Sequence, residues 1–218
     1  MNYGRIYQYR FQSTNETKKK VVWTALATWL YHGYLNRPGR VLDLAGGLCE
    51  FINAIPAAEK WTIDLSEAFI REHADPGVHV LVGNNLEVEI PENYFDGIFV
   101  SNFLEHLETQ KEVAIFLERM YASLKKGGRI VVMGPNFKHT YKEYFDFADH
   151  TVVLTDLGVA EHLHGAGFTV LKSIGRFFPL SFRSGSFLPV TPLTVKTYLH
   201  TPLAWRVMGK QFLVVAEK

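Results

Sequence analysis

Two acidic residues and two glycines stand at a spacing that suits recognition of a nucleoside. Asp43 lies in the apolar run 41–44, Gly46 and Gly47 follow at once, and Asp64 comes 21 positions after Asp43. Glycines let a backbone approach a ligand closely, and a carboxylate about 20 residues further on suits the two hydroxyls of a ribose. We therefore predict a nucleoside site here, and the alternative is a tight turn without a ligand.

The elements that must position these residues are a strand, a glycine turn and a helix. Residues 41–44 are typical of a buried parallel strand, and Glu50 begins a helical pattern. The N-terminus of that helix offers unpaired N–H groups to an anion such as a carboxylate. Residues 61–64 predict a second strand that ends at Asp64. The dinucleotide motif G-x-G-x-x-G is absent, which argues against a nicotinamide-dependent oxidoreductase.

Length and composition set limits on the class of protein. The chain has 218 residues and a net charge of +1, which suits one α/β domain and gives no general case for nucleic-acid binding. Cys49 is the single cysteine, so neither an internal disulfide nor a cysteine-based zinc site is expected. Neither a secretory signal nor a membrane-spanning apolar stretch stands out, and a cytoplasmic location is expected.

Seven strand-like segments alternate with helical patterns along the chain. The predicted strands are 41–44, 61–64, 78–82, 95–100, 130–133, 168–174 and 211–216. The pattern predicts an α/β three-layer sandwich over residues 1–218 around a mostly parallel seven-stranded sheet. A helix from Thr109 is expected to end at residues 126–128, and residues 177–209 form an insertion rich in proline and aromatic residues.

Residues 1–36 are interpreted as an N-terminal helical extension. The helix is predicted over residues 21–35, after Lys18, Lys19 and Lys20. It has three interpretations: a basic amphipathic helix for a membrane surface, a lid over a substrate, or a helix that packs on the domain with its lysines solvated. The packing interpretation is favoured.

The ordered motifs resemble those of class I S-adenosylmethionine-dependent methyltransferases. The residues that carry this resemblance are Val41-Leu42-Asp43-Leu44-Ala45-Gly46-Gly47, Asp64, Gly83-Asn84, Phe95-Asp96-Gly97-Ile98-Phe99-Val100, Leu104-Glu105-His106-Leu107 and Leu124-Lys125-Lys126-Gly127-Gly128-Arg129. It implies a Rossmann-like fold whose last two strands form an antiparallel pair. A looser similarity, in Cys49-Glu50-Phe51-Ile52-Asn53, Gly134-Pro135-Asn136, Asp149-His150 and Gly209-Lys210-Gln211, is to a bacterial subgroup associated with glycan and polysaccharide assembly.

The resemblance implies S-adenosylmethionine as cofactor and assigns residues to it. The implied cofactor-binding residues are Asp43, Ala45, Gly46, Gly47, Asp64, Asn84, Asn85, Leu86 and Asn102. Gly46 and Gly47 would approach the methionine and ribose portions, Asp43 would order the turn, and Asp64 would accept from the ribose hydroxyls. Asn84, Asn85 and Leu86 would frame adenine, and Asn102 or its carbonyl would meet the methionine amino group. The family usually has glycine at the positions of Ala45 and Cys49, and an alanine fits if its φ is negative.

A hydroxyl acceptor is a poor nucleophile, so its methylation would gain from a general base. The candidates are His106 and His150, because each follows a strand on the expected ligand side. A structural histidine is an equal alternative for each. Tyr141 and Tyr144 are weaker candidates for the acceptor pocket. The spacing of Asp146, Asp149 and His150 does not indicate a metal site, and none is predicted.

The expected activity is methyl transfer to a small-molecule or glycan acceptor, with O-methylation favoured. A scaffold that has the fold but does not catalyse is the alternative, and a nicotinamide-dependent oxidoreductase is a weaker one. Residues 162–216 contain six lysines and arginines and neither Asp nor Glu. This charge suits a phosphate-linked acceptor, with Arg176 and Arg183 as phosphate ligands and 177–209 as a lid, or contact with a membrane surface. Solvated cations are the alternative.

Overall fold

A seven-stranded sheet forms the centre of the protein. The computed structural model describes Arg5, Ile6, Tyr9 and residues 16–179 and 189–218. The strands are β1 (Arg40–Leu44), β2 (Glu59–Asp64), β3 (Val78–Val82), β4 (Phe95–Ser101), β5 (Leu124–Pro135), β6 (Thr169–Phe178) and β7 (Gln211–Glu217). Their order is β3-β2-β1-β4-β5-β7-β6, and β7 runs antiparallel to both of its neighbours. The predicted Rossmann-like α/β fold with an antiparallel last strand is confirmed.

Helices cover both faces of this sheet. They are α1 (Glu16–Gly33), α2 (Glu50–Ala54), α3 (Glu67–His73), α4 (Gln110–Ser123), α5 (Phe137–Thr140), α6 (Asp156–Gly165), α7 (Pro192–Leu199) and α8 (Pro202–Met208). Thr109 and Thr155 cap α4 and α6, each by accepting a backbone N–H with its side chain. Within the described part of the chain, no helix is long and apolar enough to cross a membrane.

The alternation of side chains along each strand divides the core into two layers. Leu42 and Leu44 of β1 belong to a buried cluster with residues of α4 and α6, whereas Val41 belongs to a second cluster with residues of α1, α2, α7 and α8. Successive strand residues point to opposite faces, so one strand supplies both clusters. The central strands are therefore mostly apolar, with Asp43 as a buried exception on β1, and the three layers follow from the sequence pattern.

Helix α1 packs on the domain, as favoured, but one of its lysines is not solvated. The helix begins at Glu16 and buries its apolar residues, including Leu26 and Leu30, in the second cluster. Lys19 is only 9% exposed and its ammonium lies 2.8 Å from a carboxylate oxygen of Glu50. The expectation that all three lysines are solvated is wrong for Lys19, because its partner lies on α2, far away in sequence.

Helix α4 ends at Ser123, earlier than predicted, and β5 begins at once with Leu124. Leu124 pairs with Phe95, and a register irregularity follows before β5 continues along β4. Gly127 has a φ of 77° in this segment, and its N–H donates to the carbonyl of Lys218, after β7. Gly127 and Gly128 therefore belong to an irregular part of β5 that is hydrogen-bonded to the residue after β7, and not to a helix terminus.

The insertion 177–209 contains two short helices that the sequence reading left unassigned. Pro192 and Pro202 stand at the first helical position of α7 and α8, where a missing N–H costs nothing. Phe177 and Trp205 are buried against α1, where Trp29 stacks on Phe177 at 5.4 Å between ring centroids. These aromatic side chains fix the segment to α1, so the lid interpretation rests on the remainder of the segment and stays a prediction.

Candidate functional site

The carboxyl ends of four adjacent parallel strands lie along one edge of the sheet. These strands are β3, β2, β1 and β4, and they end at Val82, Asp64, Leu44 and Ser101. Ligands of open α/β sheets bind outside such strand ends. The loops that follow them hold all the sequence-predicted cofactor residues other than Asp43 and Asp64, which lie on the strands themselves.

The turn between β1 and α2 alternates through the left-handed region of φ. Ala45, Gly47 and Cys49 have φ values of 52°, 51° and 55°. The condition that Ala45 would have a negative φ is therefore wrong. Left-handed backbone costs about 1–2 kcal/mol for residues with a Cβ, so the turn holds Ala45 and Cys49 under local strain.

The two glycines of this turn serve different purposes. A Cβ on Gly46 would lie 2.1 Å from Oγ1 of Thr62 on β2, so Gly46 is required for packing between the turn and the neighbouring strand. A Cβ on Gly47 would meet only the carbonyl oxygen of Ala45, at 3.9 Å. The space beside Gly47 is therefore open to a ligand, and that beside Gly46 is occupied by the protein.

Asp64 links the glycine turn to the loop after β2. Its Oδ2 accepts from the N–H of Gly47 at 3.1 Å, and its Oδ1 accepts from the N–H of Ser66 at 3.0 Å. A carboxylate has about four acceptor positions, so each oxygen retains capacity for a second donor. The geometry suits the predicted contact with two adjacent ribose hydroxyls.

Three carboxylates converge around the same turn. Asp43 is fully buried on β1, and burial raises its pKa well above the usual range, with further increases from the nearby charges of Glu50 and Asp64. Asp43 also accepts from the backbone N–H of Ile52, which ties β1 to α2. Of these three carboxylates, Glu50 is the one that Lys19 neutralises. The remaining negative potential suits a cationic ligand.

Cys49 occupies the position before α2 and its side chain is fully buried. Burial, together with the negative charges of Asp43 and Asp64, raises the pKa of its thiol to about 12. The thiolate is the reactive form of cysteine, so this residue is chemically inert at neutral pH.

The loop after β3 presents an amide where an adenine is expected. The Oδ1 of Asn84 accepts from the N–H of Leu86 at 3.0 Å, which orders the turn and leaves the side-chain amino group available to donate to an adenine. Asn85 is 4% exposed, and its Oδ1 has no hydrogen-bond partner among the described residues. A buried unpaired acceptor is costly and fits the exocyclic amino group of an adenine.

Asn102 follows β4 in the left-handed conformation, with a φ of 49°. Its N–H donates to the carbonyl of Met133 on β5, and its side-chain amide donates to Ser101. The side chain is therefore turned towards its neighbour, and the backbone carbonyl remains the stronger of the two predicted ligands for an amino group.

Four residues after Asn102, His106 is held by Asp149. The Nδ1 of His106 lies 3.0 Å from the carbonyl oxygen of Asp149 and 3.3 Å from its Oδ2. A carbonyl oxygen only accepts, so Nδ1 carries a proton and Nε2 is the basic nitrogen of the ring. Sequence reasoning identified both residues but missed the pair, which joins positions 43 residues apart.

His150 lies beside His106 in an aromatic enclosure. The two imidazole centroids are 5.0 Å apart, and the ring of His150 stacks on Phe147 at 4.7 Å. Tyr144 contacts His150 as well, but it is fully buried and its hydroxyl donates to the carbonyl of Val152. Tyr144 is thus part of the core, whereas Tyr141 is 60% exposed and lies outside it.

Glu105 joins these two histidines in a group with ligand chemistry. One ligand atom from each of Glu105, His106 and His150 lies within 4.8 Å of the others. This limit is wider than the roughly 3–3.5 Å that separates ligand atoms around one bound cation with bonds of about 2.1 Å. The grouping differs from Asp146, Asp149 and His150, and His150 is too far in sequence from Glu105 and His106 for spacing to reveal it.

Arg176 of β6 is exposed, and one of its guanidinium nitrogens donates to the carbonyl of Arg206 at 2.5 Å. Burial and the nearby charge of Arg176 lower the pKa of His139 on α5. Arg183, the second predicted phosphate ligand, lies outside the described residues.

The comparisons with known proteins agree with this arrangement. A family model described as a methyltransferase domain matches residues 42–132, which contain the glycine turn, Asp64, Asn84, Asn102 and His106. No curated protein matches the chain.

Solved structures share the fold over most of the chain. A SAM-dependent methyltransferase from Archaeoglobus fulgidus has 19% identity and a TM-score of 0.68, with 100% of both chains covered. The N-methyltransferase NodS from Bradyrhizobium japonicum has 14% identity and a TM-score of 0.59, over 94% of this chain and 97% of that one. The [4+2]-cyclase SpnF has 15% identity and a TM-score of 0.63, over 89% and 81%.

The methyltransferase domain matched over residues 42–132 supports methyl transfer with S-adenosylmethionine as the cofactor, and the solved structures show the same fold. The residues present fit this cofactor. The carboxylate of Asp64 retains acceptor capacity for the ribose hydroxyls, the space beside Gly47 is open, and Asn85 offers an acceptor that the described protein does not use.

Proposed function

We propose that the protein methylates a hydroxyl group of a glycan or a related small molecule, with His106 as the general base. The contact between His106 and Asp149 carries this proposal, because it leaves Nε2 as the basic nitrogen in the loop next to Asn102. Oriented imidazoles of this kind remove protons from hydroxyl nucleophiles.

The protein's own part in the reaction is to bind, align and accept a proton. When bound, S-adenosylmethionine supplies an electrophilic methyl group. Asp64 and the open side of Gly47 hold the nucleoside portion, and the carbonyl of Asn102 receives the amino group. Nε2 of His106 takes the hydroxyl proton, and Asp149 stabilises the imidazolium that forms. Alignment of the two reactants supplies the remainder of the rate increase.

His150 is the second candidate for the base. It lies beside His106 but is 8% exposed, between Phe147 and Tyr144. This burial favours a packing role in which His150 maintains the position of the His106 ring.

A glycan acceptor is supported by the looser resemblance to glycan-assembly methyltransferases and by the surplus of cations in residues 162–216. A phosphate-linked glycan is the form of acceptor that this charge suits, with Arg176 as one ligand for the phosphate. A non-catalytic scaffold is the competing function, supported by Ala45 and Cys49, which stand where the family usually has glycine.

The test is an acceptor panel with methyl-labelled cofactor. Sugars, nucleotide sugars and lipid-linked diphosphate sugars are compared with amines and carboxylic acids, for the wild type and for His106→Gln. We expect label on a sugar hydroxyl and a turnover about a hundredfold lower in the variant, with cofactor affinity unchanged. Label on nitrogen, or an unaffected variant, overturns the hydroxyl-and-base proposal. Cofactor binding without transfer to any acceptor supports the scaffold.

A further inference from the structure

The outer faces of α7 and α8 expose large apolar side chains. Leu193 is 73% exposed, Leu203 is 70% exposed and Val207 is 79% exposed. Leu203 and Val207 are four positions apart on α8, so they lie on one face of that helix. Isolated apolar residues on a surface need no explanation, but a concentration of them on two consecutive short helices marks an interaction surface. We call this surface, formed by the exposed residues of 192–208, the α7–α8 face.

Cations accompany these apolar residues, and acids do not. Lys196 and Arg206 are exposed on α7 and α8, and Arg206 is three residues from Leu203 on the same side of its helix. Residues 192–208 contain neither Asp nor Glu, although the whole chain carries 22 of them. The charge of the face is therefore positive, in contrast to the near neutrality of the whole chain.

The inner sides of both helices are firmly attached to the protein. The indole N–H of Trp205 donates to the carbonyl of Tyr198 at 2.7 Å, and the hydroxyl of Tyr198 donates to the carbonyl of Phe177 on β6. Val195 and Leu199 are buried in the cluster that includes α1. The apolar residues on the outside are thus held in place and cannot turn inwards to escape water.

We propose that the α7–α8 face docks on the surface of an anionic lipid bilayer. Exposed leucine and valine side chains gain by entering the boundary between headgroups and acyl chains, and the cations are attracted to anionic headgroups. The helices lie on the membrane, since the described residues contain no helix that could span it. A second copy of the chain fits less well, because two such faces would bring cations against cations.

The proposal does not rest on methyl transfer, so it is tested by binding alone. The probes are large vesicles of phosphatidylcholine with or without 30% phosphatidylglycerol, with co-sedimentation as the readout. The wild type should bind the anionic vesicles, bind the neutral ones at least tenfold more weakly, and lose most of its binding in 0.5 M salt.

Three variants separate the two contributions. Leu203→Ser with Val207→Ser should reduce binding to anionic vesicles at least tenfold. Lys196→Gln with Arg206→Gln should reduce it about twentyfold and weaken its salt dependence. Leu157→Ser is the matched control, since Leu157 is 63% exposed on α6 outside this face, and it should bind like the wild type.

Cofactor binding and the melting temperature show whether each variant is folded. No binding by the folded wild type, equal binding to neutral and anionic vesicles, or the same loss in the Leu157 variant would overturn the proposal. Self-association of the wild type that the Leu203 and Val207 substitutions abolish, without vesicle binding, would identify a second copy as the occupant and would also overturn it.

Discussion

The carboxylate of Asp64 lies 3.1 Å from the backbone nitrogen of Gly47, so the end of β2 directly holds the turn that follows β1. One side chain thereby shapes the turn and offers its remaining acceptor positions to a ribose. Loss of the carboxylate is expected to affect both the order of the turn and the affinity for the cofactor.

Asp64→Asn should weaken S-adenosylmethionine binding by on the order of 1.5–3 kcal/mol, because a charge-assisted contact is lost and an amide N–H faces a backbone donor. Titration calorimetry measures this change. Glu72→Gln, which removes an exposed carboxylate from nearby α3, serves as the control and should bind normally. Equal affinities of the folded Asp64 variant and the wild type would refute the ribose assignment.

Asp149→Asn should lower turnover about tenfold to a hundredfold while cofactor affinity holds, because the amide does not stabilise an imidazolium as a carboxylate does. Steady-state kinetics across pH, on an acceptor found in the panel, provide the measurement.

Assays with and without a chelator test the grouping of Glu105, His106 and His150. If the chelator abolishes wild-type activity, the histidines act as metal ligands and the general-base role is wrong.

Ala45→Gly should stabilise the protein by about 1 kcal/mol, because glycine adopts a φ of 52° without strain. Gly47→Ala is the opposite change and should lower stability. Its Cβ would meet nothing closer than 3.9 Å, so any loss of stability would come from the backbone conformation. Denaturant unfolding of both variants gives the two free energies. A destabilised Ala45 variant would show that the alanine methyl group contributes packing that outweighs the strain.

Asp43→Asn should raise the free energy of unfolding at pH 7.5 by about 1 kcal/mol, because it removes a carboxyl whose ionisation is opposed in the folded state by burial and by the charges of Glu50 and Asp64. The folded pKa of Asp43 is raised, so the folded state retains a proton that the unfolded chain releases. This carboxyl therefore lowers stability progressively as pH rises above about 4.

The gain in the free energy of unfolding of the Asp43 variant over the wild type should accordingly be near zero at pH 3.5 and should grow as the pH rises. Thermal unfolding at several pH values provides the test, with an expected shift of about 2–4 °C at pH 7.5. A variant less stable at neutral pH would mean that the bond to Ile52 requires the charged oxygen.

The sequence predicted the parts of the fold that depend on local pattern. Residues 78–82 form β3 as expected, because strand periodicity is a local property of the sequence. The glycine turn and Asp64 lie together because each directly follows or ends one of two neighbouring parallel strands. The end of α4 was misplaced because Gly127 and Gly128 suggest a helix stop, whereas pairing with β4 and β7 extends β5 back to Leu124.

The candidate site was harder to predict because its contacts are distant in sequence. His106 meets Asp149 through loops that follow different strands, and Lys19 meets Glu50 between separate helices. The left-handed φ of Ala45 goes against the preference of the residue, so propensity pointed away from it. Pro192 and Pro202 look like breaks in a sequence, yet each begins a helix.

The position of β7 between β5 and β6 has a consequence for biosynthesis. β7 is the last strand along the chain, and it supplies the antiparallel neighbour of both β5 and β6. While the polypeptide emerges from the ribosome, β5 presents an unpaired apolar edge that includes Val131 and Val132 until β7 arrives. Such an edge favours association with other nascent chains. Chaperone demand should therefore be greatest in the interval between synthesis of β5 and synthesis of β7.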